Sequence, residues 1–106
     1  MSEQVRASHI LLMYAGSARS TATRTKDEAL TEINALKDQI ANGSDFAELA
    51  KANSDCPSGQ QGGDLGFFGR GMMVPEFDAA AFSMEVGSTS DVVETDFGYH
   101  LLQRTA

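Results

Sequence analysis

A chain of 106 residues with 42% hydrophobic content can fill one modest core and is too short for two, so residues 1–106 read as a single domain. Its 8 Lys and Arg stand against 15 Asp and Glu, and the resulting net charge of −7 repels nucleic-acid phosphates and anionic lipid, which argues against both as partners. The longest apolar run of note is the five residues 10–14, far below a membrane span, no charged-then-apolar signal opens the chain, and a single cysteine permits neither an internal disulfide nor a thiol-only metal site, so a reducing, cytoplasmic setting is expected.

Residues 5–13 place Val5, Ala7, His9, Leu11 and Met13 on one face at period two and Ile10, Leu12 and Tyr14 on the other, the pattern of a strand covered on both sides. Residues 15–26 follow as a basic island, with Arg19, Arg24 and Lys26 giving +3 against −10 for the rest of the chain. Thr25-Lys26-Asp27-Glu28 has capping-box spacing, and Leu30, Ile33, Leu36 and Ile40 recur at helical intervals up to a stop at Gly43. Arg24 and Lys26, at that helix start, are expected to point into solvent. A shorter helix restarts at Ser44 or Asp45, carries Phe46, Leu49 and Ala50, and fades by Asn53, with one more short helix allowed near 53–58.

Six of the ten glycines lie between Cys56 and Met72, but apolar Leu65, Phe67 and Phe68 interrupt them, so the stretch reads as bends beside a strand rather than a linker. Its order, G-x-x-G-x-G at residues 66–71, is wrong for a dinucleotide fingerprint. Pro75 suits the first turn of a third helix with Phe77, Ala80, Ala81 and Met84 on one face and Gly87 as its end. Residues 92–94 and 99–104 then read as strands about a turn at 96–98. The order β-α-α-β-α-β-β is that of an α+β domain with helices packed on a small antiparallel sheet.

His9 and His100 are the only histidines, each among apolar strand neighbours, and the plain reading is a hydrogen-bonded core histidine in both cases. Neither H-x-x-x-H nor C-x-x-C occurs, so no metal and no cofactor is expected. Cys56 sits at a helix-to-loop junction, where it reads as a small buried hydrophobe or as a nucleophile that would still need a base and an oxyanion hole. Met72, Met73, Phe77 and Phe82 form either core or an adaptable apolar surface.

Seven pieces of the chain, in order and spacing, resemble the parvulin-type peptidyl-prolyl cis/trans isomerases. They are Ser8-His9-Ile10-Leu11-Leu12, Thr23-Arg24-Thr25-Lys26-Asp27-Glu28-Ala29, Phe46-Ala47-Glu48-Leu49-Ala50, Ser54-Asp55-Cys56-Pro57-Ser58, Gly62-Gly63-Asp64-Leu65-Gly66-Phe67-Phe68, Met73 with Pro75-Glu76-Phe77, and Thr95-Asp96-Phe97-Gly98-Tyr99-His100. The resemblance spans residues 5–104 and implies a four-stranded antiparallel sheet surrounded by helices. It implies that His9 and His100 are the paired histidines of the site floor, that Thr95 completes their network, and that Cys56 faces the prolyl bond where other members carry Asp. Leu65, Met73 and Phe77 would form the pocket for the proline ring, with Phe97 beside it where one branch has Ser, and Val74 in place of a polar residue. Of the cations with which one branch reads a phosphate before proline, the aligned Met13, Ala18 and Arg19 retain one, so Arg19 is the candidate anion contact. The implied partners are proline-containing peptides and unfolded or flexible protein segments, handled by a monomer without cofactor or metal. A weakly catalytic module that binds extended proline-containing segments, as in secretion chaperones, and a thiol hydrolase are the alternatives.

Overall fold

The structure, a computed structural model, describes residues 4–17 and 22–106. Strand β1 (Gln4–Leu12) leads to helix α1 (Lys26–Ala41) and helix α2 (Phe46–Asn53), and a 3-10 turn (Pro57–Gln61) precedes β2 (Asp64–Gly69). Helix α3 (Pro75–Ser83) and the strands β3 (Val93–Thr95) and β4 (Gly98–Arg104) complete the chain. The four strands form one antiparallel sheet in the order β2-β1-β4-β3, so the first and last strands in sequence are the central pair. Its two faces are covered separately. Ile10, Leu12, Tyr99 and Leu101 pack against Ala29, Ile33 and Leu36 of α1 and Phe46 and Ala50 of α2, while Val5, Ala7 and Leu102 pack against Phe77 and Ala81 of α3. Both periods of β1 are therefore buried, as its sequence requires.

The capping box is realised in both directions: Glu28 N–H donates to Thr25 Oγ1 at 3.1 Å and Thr25 N–H to Glu28 Oε1 at 2.8 Å. Four expectations shift. Leu30 is 37% exposed, because the buried stripe of α1 runs through Ala29, Ile33 and Leu36 instead. The extra short helix begins at Pro57, whose missing N–H is harmless at a first turn, rather than at Asn53. Helix α3 stops at Ser83, not at Gly87: Met84 is extended and its carbonyl accepts from Arg104 Nη1 at 2.6 Å, which ties the segment to β4. Arg24 and Lys26 do not point free into solvent. Arg24 pairs with Glu32 and Asp55, and Lys26 with Glu94.

Gly63 makes a close backbone approach beside the site. Its φ is +84°, its carbonyl accepts His9 N–H at 2.9 Å, and a Cβ there would lie 2.3 Å from the His9 carbonyl oxygen. Gly63→Ala is expected to push the turn off β1, destabilising the fold by about 2 kcal/mol or more, since the left-handed conformation alone costs ~1–2 kcal/mol in an L-residue. Urea unfolding measures this, and a midpoint within error of the parent would refute the close approach.

Candidate active site

The two histidines stand on the two central strands. In the register, His9 lies opposite Leu102 and His100 opposite Leu11, so the histidines are diagonal neighbours on one face of the sheet, the α3 face. Their rings stack with centroids 5.4 Å apart, and Phe77 meets both edge-on at 5.6 Å. At 5% and 4% exposure they sit in a setting that penalises charge. Burial pushes His9 down to about 4, and burial together with the neighbouring His9 pushes His100 down to about 3, so both rings are neutral at physiological pH.

Neutral rings make the direction of the hydrogen bonds deducible. Phe97 N–H donates to Thr95 Oγ1 at 3.2 Å, and among the described residues the one acceptor within reach of the buried Thr95 O–H is His100 Nε2 at 2.7 Å, so the arrangement that leaves this donor satisfied has Thr95 O–H donating to the ring. His100 then carries its proton on Nδ1 and donates to His9 Nδ1 at 3.2 Å. His9 carries its proton on Nε2 and donates to Ser58 Oγ at 3.2 Å, and Ser58 O–H donates to Cys56 Sγ at 3.2 Å. Every donor along this line is used once and all the protons point one way, from the β3–β4 turn to the thiol. The network assigns both tautomers.

Above the histidines opens a recess of about 160 Å³. Its floor is His9 and His100, with Cys56 in one wall; Leu65, Met73 and Phe77 form an apolar cup, and Val74 and Phe97 complete the lining. Sheet, 3-10 turn and α3 thus bring together the expected residues His9, Cys56, Leu65, Met73, Phe77, Phe97 and His100, with Thr95 one hydrogen bond behind the floor. Arg19 lies outside the described residues. Met72, also considered for the apolar surface, is 68% exposed and does not line the recess. Ser58 is the residue that sequence reasoning missed as a functional group. It lies two positions after Cys56 on a turn opened by Pro57, and that tight spacing was the available signal. A larger crevice of about 470 Å³ between α1 and α2 is lined by polar groups such as Arg24, Glu32, Gln39 and Asn53 and contains neither histidine nor the thiol. Among the described residues no cluster of three His, Cys, Asp or Glu side chains could hold a metal ion, and no helix is long and apolar enough to cross a membrane.

Residues 1–106 match the family described as the PPIC-type PPIase domain. Peptidyl-prolyl cis-trans isomerase Pin1 of Malus domestica is 43% identical over 96% of this chain and 93% of its own length. Peptidyl-prolyl isomerase ESS1 from Candida albicans superposes with a TM-score of 0.91 at 40% identity over 97% of this chain and 63% of that one. The solution structure of TbPIN1 does so at 0.90 and 39% identity, each chain covered in full. These matches define the class: the protein is a peptidyl-prolyl cis/trans isomerase, acting on proline-containing peptides. The chain belongs to the parvulin, or PPIC-type, family of these enzymes.

Proposed function

We propose that the recess over the histidine pair receives the prolyl ring and that the X-Pro bond is turned there without covalent attack. The observation that carries this reading is the meeting of an apolar cup with a floor of neutral, fully hydrogen-bonded rings. Rotation about the prolyl amide faces a barrier of ~18–20 kcal/mol, because the planar amide is resonance-stabilised. In the twisted transition state the nitrogen pyramidalises and charge separation across the amide falls, so weakly polar surroundings favour that state over the planar one. Leu65, Met73 and Phe77 hold the ring while the carbonyl swings past Cys56. Because the Cys56 sulfur accepts from Ser58, its own S–H is left over to face the substrate as a weak donor. No bond breaks in this rotation, so it requires neither metal nor cofactor. A thiol hydrolase fits poorly: Ser58 stands between His9 and Cys56, and a ring pushed down to about 4 is a feeble base. We place the protein as a monomeric folding helper in a reducing, cytoplasmic setting, acting on flexible proline-containing segments and not on nucleic acid or membranes, in keeping with its free thiol and its charge of −7.

Exchange NMR on a panel of short X-Pro peptides tests the site: the cis and trans resonances should exchange faster in the presence of enzyme, and peptides should shift the resonances of the recess. Binding without accelerated exchange would favour a chaperone-type module instead. For the mechanism, Cys56→Ala is expected to lower kcat/KM and Cys56→Asp to retain a measurable part, since a carboxylate offers a polar wall but no comparable nucleophile. A trapped thiol adduct, or a folded Cys56→Asp protein without activity, would refute the noncovalent route.

The residue before proline is expected to matter little. Arg24 and Lys26, the described cations of the basic island, are already paired with carboxylates, which leaves Arg19 as the anion contact of this reading. One exposed ion pair contributes about 0–1 kcal/mol. Turnover of pSer-Pro and Glu-Pro peptides should therefore lie within about tenfold of Ala-Pro, the factor that 1.4 kcal/mol allows. A hundredfold advantage for the phosphopeptide, lost in Arg19→Ala, would place the protein among phosphate-directed enzymes.

A further inference from the structure

We propose that Arg24 is a positioning residue for the isomerase reaction, fixing the place of Cys56 in the recess wall through Asp55; the inference rests on the reading of Cys56 as that wall. The residue before Cys56 is held on three sides. Asp55 N–H donates to the Leu11 carbonyl at 2.7 Å, and Asp55 Oδ2 accepts from Met13 N–H at 2.9 Å and from Arg24 Nη1 at 2.5 Å. The same Arg24 nitrogen donates to the Met13 carbonyl at 2.9 Å, and Arg24 Nε reaches Glu32 Oε2 on α1 at 3.0 Å. One planar guanidinium thus joins the end of β1, the exposed face of α1 and the segment leading into the 3-10 turn, which its forked donors can do and a point charge cannot.

Cys56 has little else to locate it on that side. Its own N–H reaches Ser54 Oγ only at 3.4 Å, while from the other side Gly59 N–H holds its carbonyl at 2.9 Å and Ser58 O–H reaches its sulfur at 3.2 Å. The guanidinium also separates like charges, since Asp55 and Glu32 both contact it. Without it the two carboxylates repel each other across the crevice between α1 and α2, and among the described residues the Asp55 carboxylate keeps the Met13 N–H alone. The expected movement is Asp55 outward, with Cys56 drawn after it. Side-chain exposures of 26% for Arg24 and 29% for Asp55 make these pairs weak contributors to global stability, so placement is separable from folding.

The test is a double-mutant cycle on kcat/KM against an X-Pro peptide, joined to the rate at which iodoacetamide alkylates the Cys56 thiol in the folded protein. Arg24→Ala should lower kcat/KM about tenfold, mainly through kcat, well within the hundredfold that a 1 Å misplacement can cost. It should also change the alkylation rate, and Arg24→Lys should recover part of both. In a Cys56→Ala background, Arg24→Ala should cost less than about twofold, because what it positions has gone. Asp55→Asn, which keeps the shape and loses the charge, is read the same way should Arg24→Ala fail to fold. Lys37→Ala, which breaks the remote Lys37–Asp91 pair, should leave activity unchanged. An equal loss with and without Cys56, or a folded Arg24→Ala protein at parental kcat/KM and alkylation rate, overturns the proposal. Should Cys56→Ala alone prove fully active, it is the wall reading of Cys56 that fails, and the cycle tells the two failures apart.

Discussion

Phe77→Ala is expected to remove both stability and catalysis. The ring is 3% exposed, meets His9 and His100 edge-on at 5.6 Å each, and lies 6.0 Å from the Phe68 ring, so it belongs at once to the core beneath α3 and to the cup of the recess. Truncating a buried phenylalanine to alanine costs ~3–5 kcal/mol. For a domain whose whole stability is about 5–15 kcal/mol, that is a large share. The melting temperature should fall by about 15 °C or more. Catalysis should fall further than the loss of folded protein explains, because the proline ring would lose its largest apolar contact. Burial of an aromatic side chain is worth ~1.5–3 kcal/mol, so kcat/KM corrected for folded fraction should drop about a hundredfold. Phe77→Leu, which keeps much of the volume, should recover a good part of each. A folded Phe77→Ala protein with kcat/KM within threefold of the parent would mean that the prolyl ring binds elsewhere.

Removing either histidine should lower stability and turnover together. His9→Ala leaves His100 Nδ1–H without a partner and Ser58 Oγ with Cys56 Sγ alone, and His100→Ala strands Thr95 O–H and His9 Nδ1. A buried polar group so orphaned costs ~1–3 kcal/mol. Because the two residues share one line of hydrogen bonds, the double variant should lose less than the sum of the singles. An unchanged melting temperature with turnover abolished would instead give the ring a direct chemical part.

The same rings set a pH dependence whose sign is fixed. In the unfolded chain each titrates near 6.5, whereas in the fold His9 is pushed down to about 4 and His100 to about 3. Above the unfolded value both states are neutral and the full stability is present. As pH falls below it the unfolded chain takes up protons that the folded chain refuses, so stability is lost at about 1.4 kcal/mol per pH unit for each histidine. That slope should flatten near pH 4 for His9 and near pH 3 for His100. Urea unfolding at pH 7, 6 and 5 measures it, and the double alanine variant should lose most of the slope between pH 6 and 5. An identical slope in parent and variant would contradict neutral burial. Turnover by the folded protein should stay level from pH 8 to about 5.5, since no histidine of the site changes charge there.

Local chemistry made much of this fold legible. The alternation in β1 and the Thr25–Glu28 box act over a few residues, and both appear where the pattern puts them. What depended on distant partners was not legible in the same way. The end of α3 is set by Arg104 reaching back to Met84, twenty positions away in the chain, and Gly87 offered a more obvious stop. Leu30 fits a helical repeat but falls outside the stripe that meets the sheet. Within the site, alternation placed each histidine on a strand but could not pair residues 91 positions apart; family resemblance supplied that pairing, and the strand register supplies its geometry. The engagement of Arg24 was hidden for the same reason, since its acceptor Asp55 is 31 positions away.

The placement of β1 beside β4 also governs how the molecule comes into being. Helices α1 and α2 draw on nearby residues and can flicker into existence early, but the central ladder needs segments some ninety residues apart to meet, from Ala7 with Arg104 to Leu12 with Tyr99. Closing so long a loop costs entropy before any contact rewards it, which slows the search and makes the ladder a late event. Since one histidine stands on each of these strands, a nascent or cleaved fragment that lacks either strand cannot carry the histidine pair. During synthesis on a ribosome, catalytic competence would therefore switch on only after residue 100 has emerged, and His9 would wait for it in an unpaired strand.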